Sequence, residues 1–534
     1  MSEVKLLDCT LRDGGYVNDW AFGYDNIVNI FERLITANLD IVEVGFLDNS
    51  RIMDMDRTIM PDCDTVNRIY GGLEKRNTIV VGMIDFGHLG IESLQPCSQC
   101  FLDGIRVIFK KPLMEKAMEF CSQVKGLGYK VFVQAVSITS YTDEEMIRLL
   151  KLVNELEPFA FSVVDTYGLL HKNNLIHYFA LADEYLIPSI GIGYHSHNNF
   201  QLAYANCIEL LDSPPTNRLL LVDGSLYGMG KGAGNAPTEL LATYMNERLG
   251  KQYRVSQILE AIDTSILDIY RKVPWGYSFK FFLAASNDCH PNYVTYLTDK
   301  KTLSIKSVNE ILSSIVADKK LSFDEKYIEQ LYLRHQKRED SSDEINFKLL
   351  KENLADTDIL MLGPGNSSVT QRSFIENYIN ENKPLTIAVN FLPDYDVDYL
   401  FISNARRYVQ LSSRISKLDD RIKLIATSNV TKSHGEFDYT LEYCALLDDK
   451  ALFVDNPMIM LIKLLNNCEV RDIALAGFDG HTTIGTSDYV NPNMDYSFSK
   501  EKAMEINRDA IESLARLEKN VPIRFITKSK YEES

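Results

Sequence analysis

Along the first half of the chain, short runs rich in β-branched residues alternate with longer stretches whose apolar positions recur every three or four residues. Eight runs stand out, at 4–10, 40–46, 78–84, 104–109, 130–136, 161–165, 190–195 and 219–222. Between them lie helix-period segments such as 25–37, 112–126 and 142–155. A connection of helix length makes neighbouring strands pair in parallel. Eight such units within about 250 residues describe a (β/α)8 barrel. A doubly wound sheet is the competing architecture, but the even spacing, with polar residues gathered at strand C-terminal ends, favours closure.

After residue 250 the pattern turns helical, through 258–269, 308–317 and 324–332, so 251–336 is expected to be a helical extension capping a barrel made by 1–250. Residues 337–346, Lys-Arg-Glu-Asp-Ser-Ser-Asp-Glu-Ile-Asn, are polar and charged, as an exposed linker is. A second α/β pattern fills 347–534, with strands expected at 358–362, 385–390, 399–402, 424–426, 451–454 and 473–476 and an amphipathic helix at 500–517. This half is expected to be an open, doubly wound, Rossmann-like domain.

Length and composition support that division. At 534 residues the chain exceeds the roughly 250 to 300 at which a single core stops growing. No apolar run approaches the roughly 18 residues of a membrane span, and the N-terminus lacks a basic region followed by an apolar stretch. The formal net charge of -18 argues against nucleic acid as a partner. Nine cysteines, an odd number scattered from Cys9 to Cys468, read as reduced thiols of a cytoplasmic protein. Cys97 and Cys100 have no second pair at zinc-site spacing and read as coincidence.

Chemistry gathers at the strand ends. Strand one ends in Asp8-Cys9-Thr10-Leu11-Arg12-Asp13-Gly14-Gly15, a cation beside a carboxylate at the mouth where barrel chemistry occurs. On strand seven, Tyr194-His195-Ser196-His197 puts two imidazoles on one face of a strand. If the barrel closes, Asp13, His195 and His197 converge as a two-histidine, one-carboxylate site with open positions. Nitrogen and oxygen donors without thiolate suit Mn²⁺, Mg²⁺, Co²⁺ or Zn²⁺, and that geometry also permits a non-haem Fe(II) oxygenase. Past strand eight, Gly228-Met229-Gly230-Lys231-Gly232-Ala233-Gly234-Asn235 reads either as a loop approaching a ligand closely or as a flexible surface loop. In the first case Asn235 offers a carbonyl oxygen to the metal shell.

Together the Thr10-Leu-Arg-Asp-Gly14 motif, the His195-Ser-His197 pair and the Gly230-to-Asn235 loop resemble the metal-dependent aldolases and acyl transferases related to hydroxymethylglutaryl-CoA lyase, most of all 4-hydroxy-2-oxovalerate aldolase. The resemblance spans about residues 4–332 and implies Asp13, His195 and His197 as metal ligands with Asn235 in or beside the shell. It further implies Arg12 as the stabiliser of a pyruvate-type enolate. Thr166, in Asp165-Thr-Tyr-Gly168, matches the place where the aldolases hold the pyruvyl carboxylate; otherwise it is a helix N-cap. Where those aldolases carry a histidine base this chain has Tyr16, so Tyr16 and His290, in Cys289-His-Pro-Asn-Tyr293, share that assignment, with a structural role for His290 as the other reading. The glycine-rich loop lacks the cysteine that hydroxymethylglutaryl-CoA lyase uses, which argues against that substrate. In place of the helical region through which aldolases of this kind dock a dehydrogenase, a second α/β domain follows.

In that domain, Gly363-Pro364-Gly365-Asn366-Ser367 follows a strand and precedes a helix-like run. Gly363, Gly365, Asn366 and Ser367 are candidates for a phosphate or nucleotide cradle, with a plain strand-to-helix turn as the alternative. With Ala474-Leu-Ala-Gly477-Phe-Asp-Gly-His481 they resemble Rossmann-type domains found with sugar-nucleotide and pterin-diphosphate chemistry; a scaffold or dimerisation role is the other reading. The sequence thus points to a cytoplasmic, homo-oligomeric, metal-dependent aldolase that acts on a 2-oxo acid and an aldehyde. A Claisen-type acyl-CoA transferase and a ligand-sensing barrel are its rivals.

Overall fold

Eight parallel strands form where the apolar runs place them: Val4–Asp8, Ile41–Leu47, Ile79–Asp85, Gly104–Phe109, Lys130–Ala135, Ala160–Asp165, Gly191–Ser196 and Leu220–Gly224. Each pairs with the next. The first also pairs with the last, Val4 opposite Leu220, which closes the barrel and leaves it no free edge. A two-residue strand, Ile59–Met60, adds beside the second and was not foreseen.

Helices follow from periodicity and caps. Tyr24–Thr36 turns Ile27, Ile30, Phe31, Leu34 and Ile35 onto the barrel, the i, i+3, i+4 stripe of a surface helix. Asp143–Leu156 begins at a capping box in which Thr142 and Glu145 satisfy each other's backbone amides.

This computed structural model describes residues 3–215, 217–300, 303–320, 323–336, 343–417, 421–430, 437–482, 489–490 and 500–532. They divide into two compact units, Met1–Pro291 and Asn292–Ser534. The helices expected as one extension over 251–336 are thus shared between the units. Of the expected linker 337–346, residues 337–342 lie outside the described residues, and the chain is helical over Asp343–Leu354. Among the described residues no helix is long and apolar enough to cross a membrane.

The second unit holds seven parallel strands: Asp358–Leu362, Leu385–Val389, Tyr399–Ile402, Lys423–Thr427, Tyr439–Leu441, Asp472–Ala476 and Ile523–Phe525. Along the sheet they run fifth, fourth, third, second, first, sixth, seventh, so the direction of winding reverses between the first and the sixth. The strand expected at 451–454 does not form. Instead of joining a sheet, the Leu452 and Phe453 amides donate to the Asp509 carboxylate at 2.8 and 2.9 Å. The sheet takes Tyr439–Leu441 in its place.

Candidate metal centre and active site

Closure brings strand one beside strand eight, and with it the two histidines of strand seven to the Asp13 carboxylate. His197 Nε2 lies 3.4 Å from Asp13 Oδ2 and His195 Nε2 3.8 Å from Asp13 Oδ1. One ligand atom from each of the three lies within 4.8 Å of the others, a set able to hold a metal ion. All three side chains are buried.

The hydrogen bonds behind the site decide which atoms face it. His195 Nδ1 meets Asp223 Oδ2 at 2.9 Å, and His197 Nδ1 meets the Asp165 carbonyl at 3.0 Å. A carbonyl only accepts, so His197 carries its proton on Nδ1, and the Asp223 carboxylate favours the same tautomer in His195. Both Nε2 lone pairs are left buried without a hydrogen-bond partner, and so is Asn235 Oδ1. Three orphaned acceptors around one carboxylate would be costly in a site meant to stay empty, and they suit a cation. Asn235 Nδ2 donates to Asp13 Oδ2 at 2.8 Å, which turns its oxygen away from the aspartate.

Burial alone would raise the Asp13 pKa, but the Arg12 guanidinium overcomes it and holds the carboxyl well below the usual range. Burial likewise lowers the His195 pKa against the opposing pull of Asp223, so the ring is neutral at physiological pH, the state a ligand needs. Arg12 donates through Nε to Glu43 Oε2 at 2.8 Å and through Nη1 to Asp13, leaving Nη2 with no hydrogen bond among the described residues. Glu43 also accepts from Arg106 Nη1 at 2.9 Å, while Arg106 Nη2 reaches Gln134 Oε1 at 3.0 Å and Asp223.

Sequence reasoning missed this floor of Glu43, Arg106 and Gln134, as well as the role of Asp223. The available signal was a single charged residue inside each of two apolar runs, Glu43 in Ile-Val-Glu-Val and Arg106 in Gly-Ile-Arg-Val-Ile.

The glycine-rich loop comes down onto the site. His197 and Asn235 form an isolated antiparallel bridge, and the Lys231 amide donates to Asp13 Oδ2 at 3.1 Å. Gly230 makes this approach possible, because a Cβ there would sit 2.3 Å from Asn235 Nδ2 and 2.6 Å from Asp13 Oδ2.

Of the other candidates, Tyr16 stands at the rim, 42% exposed, packed edge-on against Trp20 with the Lys231 ammonium 5.4 Å over its ring. Loss of water around the phenol, with the Asp13 carboxylate next, pushes its pKa up to about 12. Burial and the Lys231 cation lower the His290 pKa. Thr166 follows strand six, and its Oγ1 accepts from the Ser137 amide at 2.7 Å.

In the second unit, Gly363, Gly365, Asn366 and Ser367 form the turn between the first strand and the four-residue helix Ser367–Thr370. A carboxylate of the chain sits where a phosphate was expected: the Ser367 amide donates to Asp479 Oδ2 at 2.8 Å and its hydroxyl to Asp479 Oδ1. The glycines admit this segment, since a Cβ on Gly365 would meet the Asp479 carboxyl carbon at 2.6 Å.

Residues 3–267 match the HMGL-like family. A 4-hydroxy-2-oxovalerate aldolase of Chloroflexus aurantiacus is 28% identical over 259 residues, covering 47% of this chain and 71% of the relative. One from Geobacillus genomosp. 3 is 22% identical over 264 residues, covering 49% and 76%. An oxaloacetate decarboxylase of Mycobacterium tuberculosis is 25% identical over 288 residues, covering 52% and 82%. Closed parallel barrel, strand-one Arg-Asp pair and strand-seven histidines agree with that match: through its barrel, residues 3–267, the chain belongs to the HMGL-like family.

Proposed function

We propose that the barrel is a divalent-cation-dependent aldolase that forms or cleaves a 4-hydroxy-2-oxo acid through a pyruvate-type enolate. The observation that carries this reading is the trio of buried, partnerless acceptors, His195 Nε2, His197 Nε2 and Asn235 Oδ1, around the Asp13 carboxylate. Two of the relatives described above are 4-hydroxy-2-oxovalerate aldolases. Asp13, His195 and His197 would hold the ion, with Asn235 in or beside the shell, and a donor set of two imidazoles and oxygens admits Mn²⁺ or Mg²⁺ as well as Co²⁺ or Zn²⁺. Such an ion supplies Lewis-acid polarisation of a 2-oxo acid's ketone.

The protein supplies the rest. Arg12, fixed at Nε and Nη1, presents a permanent positive charge to the oxygen on which negative charge grows. Thr166 keeps its hydroxyl proton to donate to the substrate carboxylate while its oxygen holds the Ser137 amide. His290, neutral at physiological pH, accepts the 4-hydroxyl proton in the cleavage direction. The C3–C4 bond then breaks, its electron pair passes to the enolate, the aldehyde leaves and a proton returns to C3. With a pKa near 12, Tyr16 stays protonated and serves as a donor rather than a base. None of the nine cysteines is in a disulfide, which suits a reducing cytoplasmic setting.

The decarboxylase relative favours a second reading, loss of CO2 from a 2-oxo diacid, which leaves the same enolate. Solvent deuterium exchange into the pyruvate methyl group tests what both share, read by NMR with Mg²⁺ and by mass spectrometry with Mn²⁺. Exchange that needs metal and is lost in Asp13→Asn is the expected result, and no exchange with any divalent cation overturns both readings. Release of an aldehyde from 4-hydroxy-2-oxo acids, against CO2 from oxaloacetate, then separates them.

A further inference from the structure

In an open parallel sheet, ligands bind outside the strand C-terminal ends where the winding reverses. In the second unit Pro364 and Gly365, after the first strand, and Gly477 to Asp479, after the sixth, stand at that place, joined by the Gly365 amide donating to the Gly477 carbonyl at 2.8 Å, and together they form one wall. A cavity of about 290 Å³ opens there, its wall continued by Val389 and Asn390 after the second strand and Asn404 after the third. Asn390 holds a left-handed φ of 55° although it is not glycine, and its Oδ1 accepts the Ser403 amide at 3.0 Å. Strain of this kind collects at ligand-binding edges.

The glycine turn is not the anion site, because Asp479 already occupies its helix N-terminus. Positive potential comes from the opposite wall. Two 11-residue helices, Ala405–Ile415 and Pro457–Asn467, begin on the cavity with their N-cap residues Asn404 and Asn456 in its lining. Their dipoles place partial positive charge at those ends. Arg407, 5% exposed in the first turn of the former, lines the cavity with Lys502. Of the three lining carboxylates, Asp479 accepts from Ser367 and Asp455 Oδ2 accepts the Tyr332 and Tyr443 hydroxyls, each at 3.1 Å; Asp299 is the third. Phe453, Phe478, Tyr489 and Tyr531 contribute aromatic surface. A positively charged wall and an aromatic surface in one cavity describe a ligand with both a phosphate and a planar base.

We propose that this cavity binds a nucleotide, its phosphates toward Arg407, Lys502 and the two helix N-termini and its base among the four aromatic rings. All its lining residues belong to the second unit, and the proposal does not rest on the aldolase reading. The test is calorimetry and thermal shift on the full chain with AMP, ADP, CMP, UMP and GMP, and with inorganic pyrophosphate alone. At least one nucleotide is expected to bind with a submillimolar Kd and raise the Tm, with pyrophosphate about tenfold weaker or more. Lys502→Glu, at an exposed position where the ammonium lies 4.4 Å over the Phe453 ring and pairs with Glu505, should weaken the nucleotide about tenfold with the far-ultraviolet circular dichroism unchanged; Asp13→Asn should leave it unchanged. No binding by any nucleotide at millimolar concentration, binding indifferent to Lys502→Glu, binding lost in Asp13→Asn, or pyrophosphate as tight as the nucleotides would each overturn the proposal.

Discussion

Gly230→Ala is a one-methyl test of the site. The Gly230 backbone is not in the left-handed region, so alanine adds only its Cβ, 2.3 Å from Asn235 Nδ2 and 2.6 Å from Asp13 Oδ2. Ordinary contact for carbon is about 3.5 Å, so each neighbour must withdraw by about 1 Å. That breaks the 2.8 Å bond from Asn235 to Asp13, a charge-assisted hydrogen bond worth about 1.5–3 kcal/mol, and adds about 1–3 kcal/mol of overpacking. With partial relaxation the barrel should lose about 2–4 kcal/mol, and its affinity for Mn²⁺ should fall about 10- to 100-fold. Both tryptophans, Trp20 and Trp275, lie in the barrel unit, so urea unfolding followed by tryptophan emission reports that unit. Calorimetry gives the Mn²⁺ affinity. Gly72→Ala, where nothing lies within 4 Å of the new Cβ, is the control and should stay within about 0.5 kcal/mol of the parent. If Gly230→Ala matches that control in stability and binds Mn²⁺ within about twofold, the tight seat of the loop on the site is not what holds the ligand set.

Asp13→Asn should lose Mn²⁺ binding by about 100-fold or more while circular dichroism stays unchanged, and retained binding would place the ion elsewhere. Arg12→Lys should lower kcat at least about tenfold with little change in KM, because an ammonium cannot keep both the Glu43 and Asp13 bonds; an unchanged kcat counts against the enolate role. Asp8, pushed up to about 6 by burial against hydrogen bonds from Thr238 and Thr10, holds its proton more tightly folded than unfolded. Its contribution is therefore whole below pH 3.8 and is lost by about 3 kcal/mol as pH rises past 6. Urea unfolding between pH 4 and 7 should show Asp8→Asn gaining on the parent by that order of magnitude, and a constant difference would refute the shift.

The barrel was legible because each strand is a run long enough to show and each return is a full helix. The meeting of Asp13, His195 and His197 was legible for a narrower reason: the two histidines share one strand, and Asp13 sits at the end of another, so only closure was needed to join them. What lies beneath was not. Glu43, Arg106, Gln134 and Asp223 come from four strands, and which of them meet depends on registers fixed only when the ring closes. In the second unit, Tyr439–Leu441 and Ile523–Phe525 are too short for any period to show, while 451–454 has strand composition but gives two of its amides to Asp509.

The shared carboxylates of the barrel floor tie properties that look separable. Glu43 holds Arg12 and Arg106 at once, Arg106 holds Asp223, and Asp223 sets the face that His195 presents. Exchanging one of the proposed ligands to change the preferred metal would therefore also disturb the guanidinium proposed to steady the reacting oxygen. Retuning the metal requires coordinated changes on several strands, whereas Tyr16 at the rim packs on Trp20 and Phe46, and these meet Arg12 only through its carbonyl and the face of a ring. New aldehyde preferences are most cheaply sought at the rim, with the floor left as it is.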